Sequence, residues 1–239
     1  MNVHDIIKHG SDYFLPNLSI DLVIIGYHEH KLKCLLLKIG DKWILPGGHI
    51  KIDESLDVAV KRILKFRTGL EEPYMKFLAI FGDKDRKFDK DFKQFFEDKG
   101  IPWGEDYWIN NRFITLTFYS LVDIDNTQPV LGEFDEAFEW FDFDDLPDMW
   151  LDHKSIVNSA RNRLKEDVKY EQITYNLLPE QFTMPQLHQL HQTILEEKVD
   201  RSRFQKKIIA TGLLERLSLL NKDSPGRNPY QYTLRKRDS

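Results

Sequence analysis

Short apolar runs separated by turn-forming residues fill the first two thirds of the chain. SIDLVIIGY (19–27), KCLLLKIG (33–40) and KWILPGG (42–48) are rich in Val, Ile, Leu and Trp, and their length and spacing predict strands of a mixed sheet. The period then changes. In SLDVAVKRILKFRTGL (55–70), Leu56, Ala59, Val60, Ile63 and Leu64 fall at helical spacing. Ser55 or Asp53 can cap the start of that helix, and Gly69 marks its end. Further strands are predicted at KFLAIFGD, RFITLTFYSLVD and EAFEWFDFDDL, and a second long helix at HKSIVNSARNRLKEDV. The expected first unit, residues 1–165, is a single α+β or mixed α/β domain.

One connection is too long for a turn. Residues 83–111 carry Phe88, Phe92, Phe95, Phe96, Trp103, Tyr107 and Trp108, a density that predicts a flap or short helix packed on the domain. Its rings serve either as a satellite core or as the walls of a ligand pocket, and sequence leaves both open.

From about residue 170 the order of elements differs. Thr183 with Gln186 forms a capping-box pattern, Pro185 suits a first turn, and Leu187, Leu190, Ile194 and Leu195 make one apolar stripe. Asp200 can cap a second helix in RSRFQKKIIATG, with Phe204 and Ile208 inward and Gly212 closing it. Two strands follow, joined by a loop rich in Ser, Pro, Gly and Asn. Helix, turn, basic helix and hairpin is the order of a winged helix-turn-helix, expected over residues 166–239, whose second helix enters the major groove of duplex DNA.

Charge supports that division. Residues 198–239 hold eleven Lys and Arg against four acids, a net of +7; the preceding 197 residues hold the remaining 23 against 35, a net of −12. A basic end on an acidic body points to a polyanion met by the C-terminal part alone. Arg201, Arg203, Gln205, Lys206 and Lys207 on the helix and Arg227 in the wing are the candidate DNA contacts. With 41% apolar and 31% charged residues, disorder is not the expected state. No stretch has the ~18 uninterrupted apolar residues of a membrane helix, so a cytoplasmic location is expected. The single cysteine, Cys34, excludes an internal disulfide and is expected to be buried in a strand. His188 and His191 stand three apart on a helix, but two ligands do not complete a zinc site.

The run GGHIKIDESLDVAVKRILKFRTGL resembles the Nudix box: Gly48, Glu54, Arg62, Leu64, Gly69 and Leu70 match its spacing. The resemblance implies a Nudix-like mixed-sheet sandwich to about residue 165. In Nudix hydrolases three further glutamates of the box hold divalent cations; here those positions are Ile63, Phe66 and Arg67. Isoleucine and phenylalanine offer no oxygen, and a guanidinium repels cations. No metal site, no catalytic residue and no cofactor are therefore expected, although Asp53, Glu54 and Asp57 remain nearby.

A Nudix-like domain without its carboxylates, followed by a basic winged helix, resembles the Nudix-related transcriptional regulators, and DRSRFQKKIIATGLLE and GRNPYQY extend the likeness to nearly the whole chain. The resemblance implies a homodimeric repressor reading a palindromic operator, with the former catalytic domain as sensor. One branch of that family responds to ADP-ribose, another to L-arabinose. The eroded box and the long aromatic insertion favour the sugar branch, and the acidic body supports it, because a diphosphate held without metal needs gathered cationic donors. Lys42, Trp43, His49, Phe81, Asp83 and Arg112, near strand ends, are the candidate ligand contacts. The ADP-ribose sensor is the alternative, and an active nucleoside-diphosphate hydrolase a further one.

Overall fold

The computed structural model describes residues 3–88, 90–220 and 228–235. Its first unit is a seven-stranded sheet built around one long strand. β1 (Phe14–His28) pairs antiparallel with β2 (Lys31–Ile39) and with β4 (Gly47–Lys51), and parallel with β6 (Ile114–Leu121). β3 (Lys42–Ile44) and β7 (Ala137–Asp142) add to β2, and β5 (Tyr74–Phe81) adds to β6. The mixed sheet expected from the apolar runs is thus present.

Alternation along β1 sets the layers. Ile20, Leu22 and Ile24 pack with Ala59, Val60, Ile63 and Leu64 of α2 (Leu56–Thr68), whereas Val23 and Ile25 pack with Ile156, Val157, Ala160 and Leu164 of α4 (His153–Tyr170). A strand covered on both faces must be apolar at nearly every position, which is why SIDLVIIGY reads as a continuous run. Ser55 caps α2 by accepting the Val58 N–H at 3.4 Å, and Gly69 ends it at φ 71°, a left-handed conformation that glycine adopts without a Cβ penalty. At Gly47 a Cβ would lie 2.5 Å from the Ile20 carbonyl oxygen, so a side chain there would push β4 off β1. Cys34 is fully buried.

One α-helix and two strands escaped the pattern reading. β4 follows β3 after only two residues, so 42–48 reads as a single run. α1 (Val3–His9) is too short to show helical periodicity, and β8 (Phe182–Thr183) has two residues. The aromatic connection contains α3 (Lys90–Asp98).

The second unit has the order expected of a winged helix. α5 (Met184–Leu195) opens with the full capping box between Thr183 and Gln186, α6 (Arg201–Ala210) is capped by Asp200, and β9 (Leu214–Leu219) and β10 (Tyr230–Leu234) pair antiparallel, with β8 on the other edge of β10. Gly212 follows α6 at φ 68°. Leu187, Leu190, Ile194, Phe204 and Ile208 belong to the same buried cluster as Val23, Ile25 and Leu164. The winged helix and the sheet domain therefore share one core. Polar contacts strengthen the junction: Arg161 reaches Glu196 at 2.7 Å, Lys165 reaches its other oxygen at 2.5 Å, and Thr193 donates to the His30 carbonyl at 3.2 Å. α4 runs unbroken from the sheet toward this junction.

Candidate functional site

A cavity of about 300 Å³ opens beside β1, β2 and β4, under α1 and α3. Its position follows from the strand alternation. Ser19 and Asp21, on the alternation of β1 that continues as Val23 and Ile25, are polar where the strand would otherwise be core, and both line the cavity. Phe88, Phe92, Phe96, Phe113 and Phe134 supply apolar walls. The aromatic connection thus does both things the sequence left open: Phe88, Phe92 and Phe96 face the cavity, while Phe95, Trp103 and Tyr107 pack behind them.

Charged groups surround this apolar cup. Arg86, 4% exposed, donates to Asp21 at 2.8 Å and to Asp152 at 2.9 Å. His153 accepts the Leu45 N–H at Nδ1 (2.9 Å), which fixes the neutral tautomer with hydrogen on Nε2; that nitrogen lies 3.7 Å from Asp21. Burial lowers the His153 pKa, so the ring stays neutral. Arg67, on the last turn of α2, pairs with Asp135, whose carboxylate also accepts the Gly132 N–H at 2.5 Å.

Among the described residues, four buried polar atoms of side chains that line this cavity have no hydrogen-bond partner: Ser19 Oγ, His49 Nδ1, Arg67 Nε and His153 Nε2. Buried polar groups are nearly always satisfied, and a cluster left open around one cavity is the signature of a ligand's donors and acceptors. Desolvation lowers the His49 pKa to about 4 against an opposing hydrogen bond with the Leu18 backbone, so the ring is neutral at pH 7. Of the set, Arg67 Nε and His153 Nε2 are donors and the Ser19 hydroxyl can donate or accept.

His49 and His191 make the fold acid-sensitive. The pKa of His191 is likewise lowered to about 4 by desolvation, its Nε2 lying 3.0 Å from Thr174 Oγ1 and its ring against Phe204. Both folded values lie below the unfolded value of about 6.5. The unfolded chain thus binds more protons between pH 6.5 and 4, and stability falls as pH drops through that window. Urea midpoints are expected to decline from pH 7 to 5, and less steeply in His191→Gln; equal slopes would contradict this account.

Of the six ligand contacts expected from sequence, His49 alone lines the cavity. Lys42 lies over the Trp150 ring at 4.4 Å, and Trp43 packs on Phe141 at 4.6 Å. Phe81 packs against the α4-side core, Asp83 is exposed and accepts the Asp85 N–H, and Arg112 is exposed with its carbonyl bonded to Asn17. These five sit near strand ends without lining the cavity. The sugar expectation also rested on an acidic body without gathered cations; Arg67, Arg86 and Lys87 line the cavity, together with Asp21, Glu133 and Asp135. Polar Ser19 and Asp21 inside an apolar run were a readable signal for the site. Nothing local marked Arg86, Gly132 or Asp135.

The Nudix-like box implies a divalent cation, and the residues do not fit one. Ile63 is 3% exposed and packs under Gly48, Phe66 is half exposed, and Arg67 places a cation on the cavity. Glu54, whose pKa is lowered chiefly by the Arg62 hydrogen bond, is gripped by Arg62 at 2.9 Å and by the Lys51 N–H at 2.8 Å. Among the described residues no group of three or more His, Cys, Asp or Glu is arranged to hold a metal ion. His188 is spoken for as well, with Nε2 2.8 Å from the Val199 carbonyl.

At the other end of the molecule, Arg201, Arg203, Lys206 and Lys207 are exposed along α6 and Gln205 is half-buried, because Phe204 and Ile208 anchor the opposite face. Arg227 lies outside the described residues. Arg216, not singled out from sequence, lies over the Tyr230 ring at 4.4 Å on the hairpin. No helix among the described residues is long and apolar enough to cross a membrane.

A ligand-sized cavity in a mixed-sheet sandwich, joined to a winged helix with a basic second helix, defines a two-part protein of the Nudix and winged-helix class. The chain belongs to the NUDIX domain family, which matches residues 18–160, and residues 174–234 match the NrtR DNA-binding winged helix domain, so it is an NrtR-like protein. It is 24% identical over 214 residues, 86% of this chain and 77% of the relative, to the ADPR responsive transcriptional repressor NtrR of Acinetobacter baylyi. It is 25% identical over 150 residues, 61% of this chain and 73% of the relative, to the ADP-ribose pyrophosphatase of Methanocaldococcus jannaschii. The structure of Shewanella oneidensis NrtR complexed with a 27mer DNA superposes with a TM-score of 0.71 at 26% identity, covering 91% of this chain and 93% of that one.

Proposed function

We propose that this protein is a DNA-binding transcriptional repressor whose Nudix-like domain, residues 1–165, binds ADP-ribose without hydrolysing it, and whose winged helix, residues 166–239, releases its operator in response. The observation that carries the reading is the cluster of four unpartnered buried polar atoms around one cavity, in a domain that shares its core with the exposed basic helix. The relative named for its response to ADPR and the NrtR chain solved with DNA support the same reading. L-arabinose and sugar utilisation find no support in these likenesses. A nucleoside diphosphate sugar suits the cavity's mixture of phenylalanine walls, guanidinium groups and hydroxyl-binding atoms.

The protein acts as a homodimer on a palindromic site, with half-sites about one turn of DNA, ~34 Å, or a multiple of it apart. Arg201, Arg203, Gln205, Lys206, Lys207 and Arg227 meet the duplex, the lysines on phosphate and Arg203 or Gln205 at base edges. ADP-ribose shifts the equilibrium only through unequal affinity for the DNA-bound and free conformations.

Operator duplexes selected from a random pool provide the test. Added ADP-ribose is expected to release the selected duplex while L-arabinose leaves it bound; the reverse result restores the sugar reading. Magnesium-dependent breakdown of ADP-ribose, abolished by Glu54→Gln, would instead make the domain a hydrolase.

A further inference from the structure

We propose that Arg67 is a built-in cation that takes the ligand's diphosphate in place of a divalent metal, with Asp135 as the counter-ion that the phosphate displaces. This rests on the reading of the cavity as a site for a nucleoside diphosphate. Arg67 occupies a box position where the resemblance places a metal-holding glutamate, and its side chain, 15% exposed, carries a positive charge to the cavity wall.

The two guanidinium groups on the cavity are held differently. Arg86 is clamped between Asp21 and Asp152, with a third contact to the Phe113 carbonyl, so both its charge and its hydrogen-bonding edges are largely consumed. Arg67 has one carboxylate partner, and its Nε is buried without any. A guanidinium offers parallel N–H pairs that match two phosphate oxygens, a stronger arrangement than a neutral hydrogen bond.

The loop beyond it leaves room for the exchange. At Gly132 a Cβ would lie 2.9 Å from Asp135 Oδ2 and 3.1 Å from Arg67 Nη1, so the absence of a side chain keeps the ion pair open on that flank. Asp135 is anchored by the Gly132 N–H and sits on a loop whose start is tied to the end of α2, Gln128 N–H to the Thr68 carbonyl at 3.0 Å. When phosphate takes the guanidinium, Asp135 keeps the Gly132 N–H as a hydrogen-bond donor. A fixed cation in place of a metal makes binding independent of chelators and sensitive to salt.

Calorimetry of the full chain in EDTA, with ADP-ribose, ADP, inorganic pyrophosphate and ribose as probes, tests this. The wild type is expected to bind ADP-ribose equally well with EDTA or magnesium. Arg67→Gln is expected to lose about 10- to 100-fold for each diphosphate, Arg67→Lys to recover part of it, and Asp135→Asn to bind diphosphates several-fold more tightly, a gain that mere structural damage does not give. Circular dichroism and thermal melts check that the variants fold. Unchanged affinity in Arg67→Gln, or loss of wild-type binding in EDTA, overturns the inference while leaving the ADP-ribose reading intact. Binding of pyrophosphate and ADP but not ADP-ribose, still dependent on Arg67, upholds the inference and overturns that reading. Failure of every diphosphate to bind overturns both.

Discussion

Replacing Arg203, Lys206 and Lys207 together by alanine is expected to weaken binding to duplex DNA by about two orders of magnitude at physiological salt, with the fold unchanged. All three are exposed on α6, so removing them opens no cavity and strands no partner. Each cation seated on a phosphate releases a counter-ion from the duplex, worth a slope of about −0.9 in log affinity against log salt. The two lost lysine contacts therefore flatten that slope by about 1.8, roughly a thirtyfold loss at 0.15 M salt by the same relation, and the lost Arg203 contact at a base edge supplies the rest. Anisotropy titrations of a labelled duplex at several salt concentrations measure both quantities. In Lys207→Ala alone the slope is expected to flatten by about 0.9 and the affinity to fall roughly fivefold at 0.15 M salt. If that variant kept both its affinity and its slope, α6 would not be the surface that meets phosphate.

Arg86→Ala is expected to cost about 3–5 kcal/mol of stability, the largest effect of any single substitution at the cavity. The guanidinium is 4% exposed and neutralises Asp21, itself 10% exposed, and Asp152 at 25%. Without it, two carboxylates are left close together with little water, and only the neutral His153 beside Asp21. For a chain of this length the loss corresponds to a fall in melting temperature of about 10 °C. A double-mutant cycle separates the buried charge from lost packing: Asp21→Asn removes the stranded carboxylate, so Arg86→Ala is expected to cost markedly less on that background. Equal costs on the two backgrounds would mean that the ion pair does not hold this corner of the cavity together. The same variant is expected to lose ligand binding, because Asp21, His153 and the Phe113 carbonyl depend on Arg86 for their placement.

Legibility in the sequence followed the range of the interactions concerned. The strands of the sheet, α2 with its Ser55 cap and Gly69 stop, the capping box of α5 and the Asp200 cap of α6 depend on residues within a few positions of one another, and each was readable from spacing alone. The erosion of the box was equally local, since Ile63, Phe66 and Arg67 lie on a helix whose register Gly48, Arg62 and Gly69 had fixed. The basic face of α6 could be read because Phe204 and Ile208 mark its buried side.

The cavity was decided elsewhere. Arg86 meets Asp21 across 65 positions and Arg67 meets Asp135 across 68, and no periodic pattern records which loop returns to which strand. That is why five of the six residues expected to meet a ligand lie off this cavity, and why an acidic total did not reveal the guanidinium groups on it. The amino-acid sequence by itself determined most of the elements, their order, the absence of carboxylates at three box positions and the basic face of α6, because hydrophobic period and capping act over single turns. Only the tertiary structure decided which charges neutralise one another, which polar atoms are left without partners, and that the two halves share one core, because these depend on distances that the chain closes only when it folds.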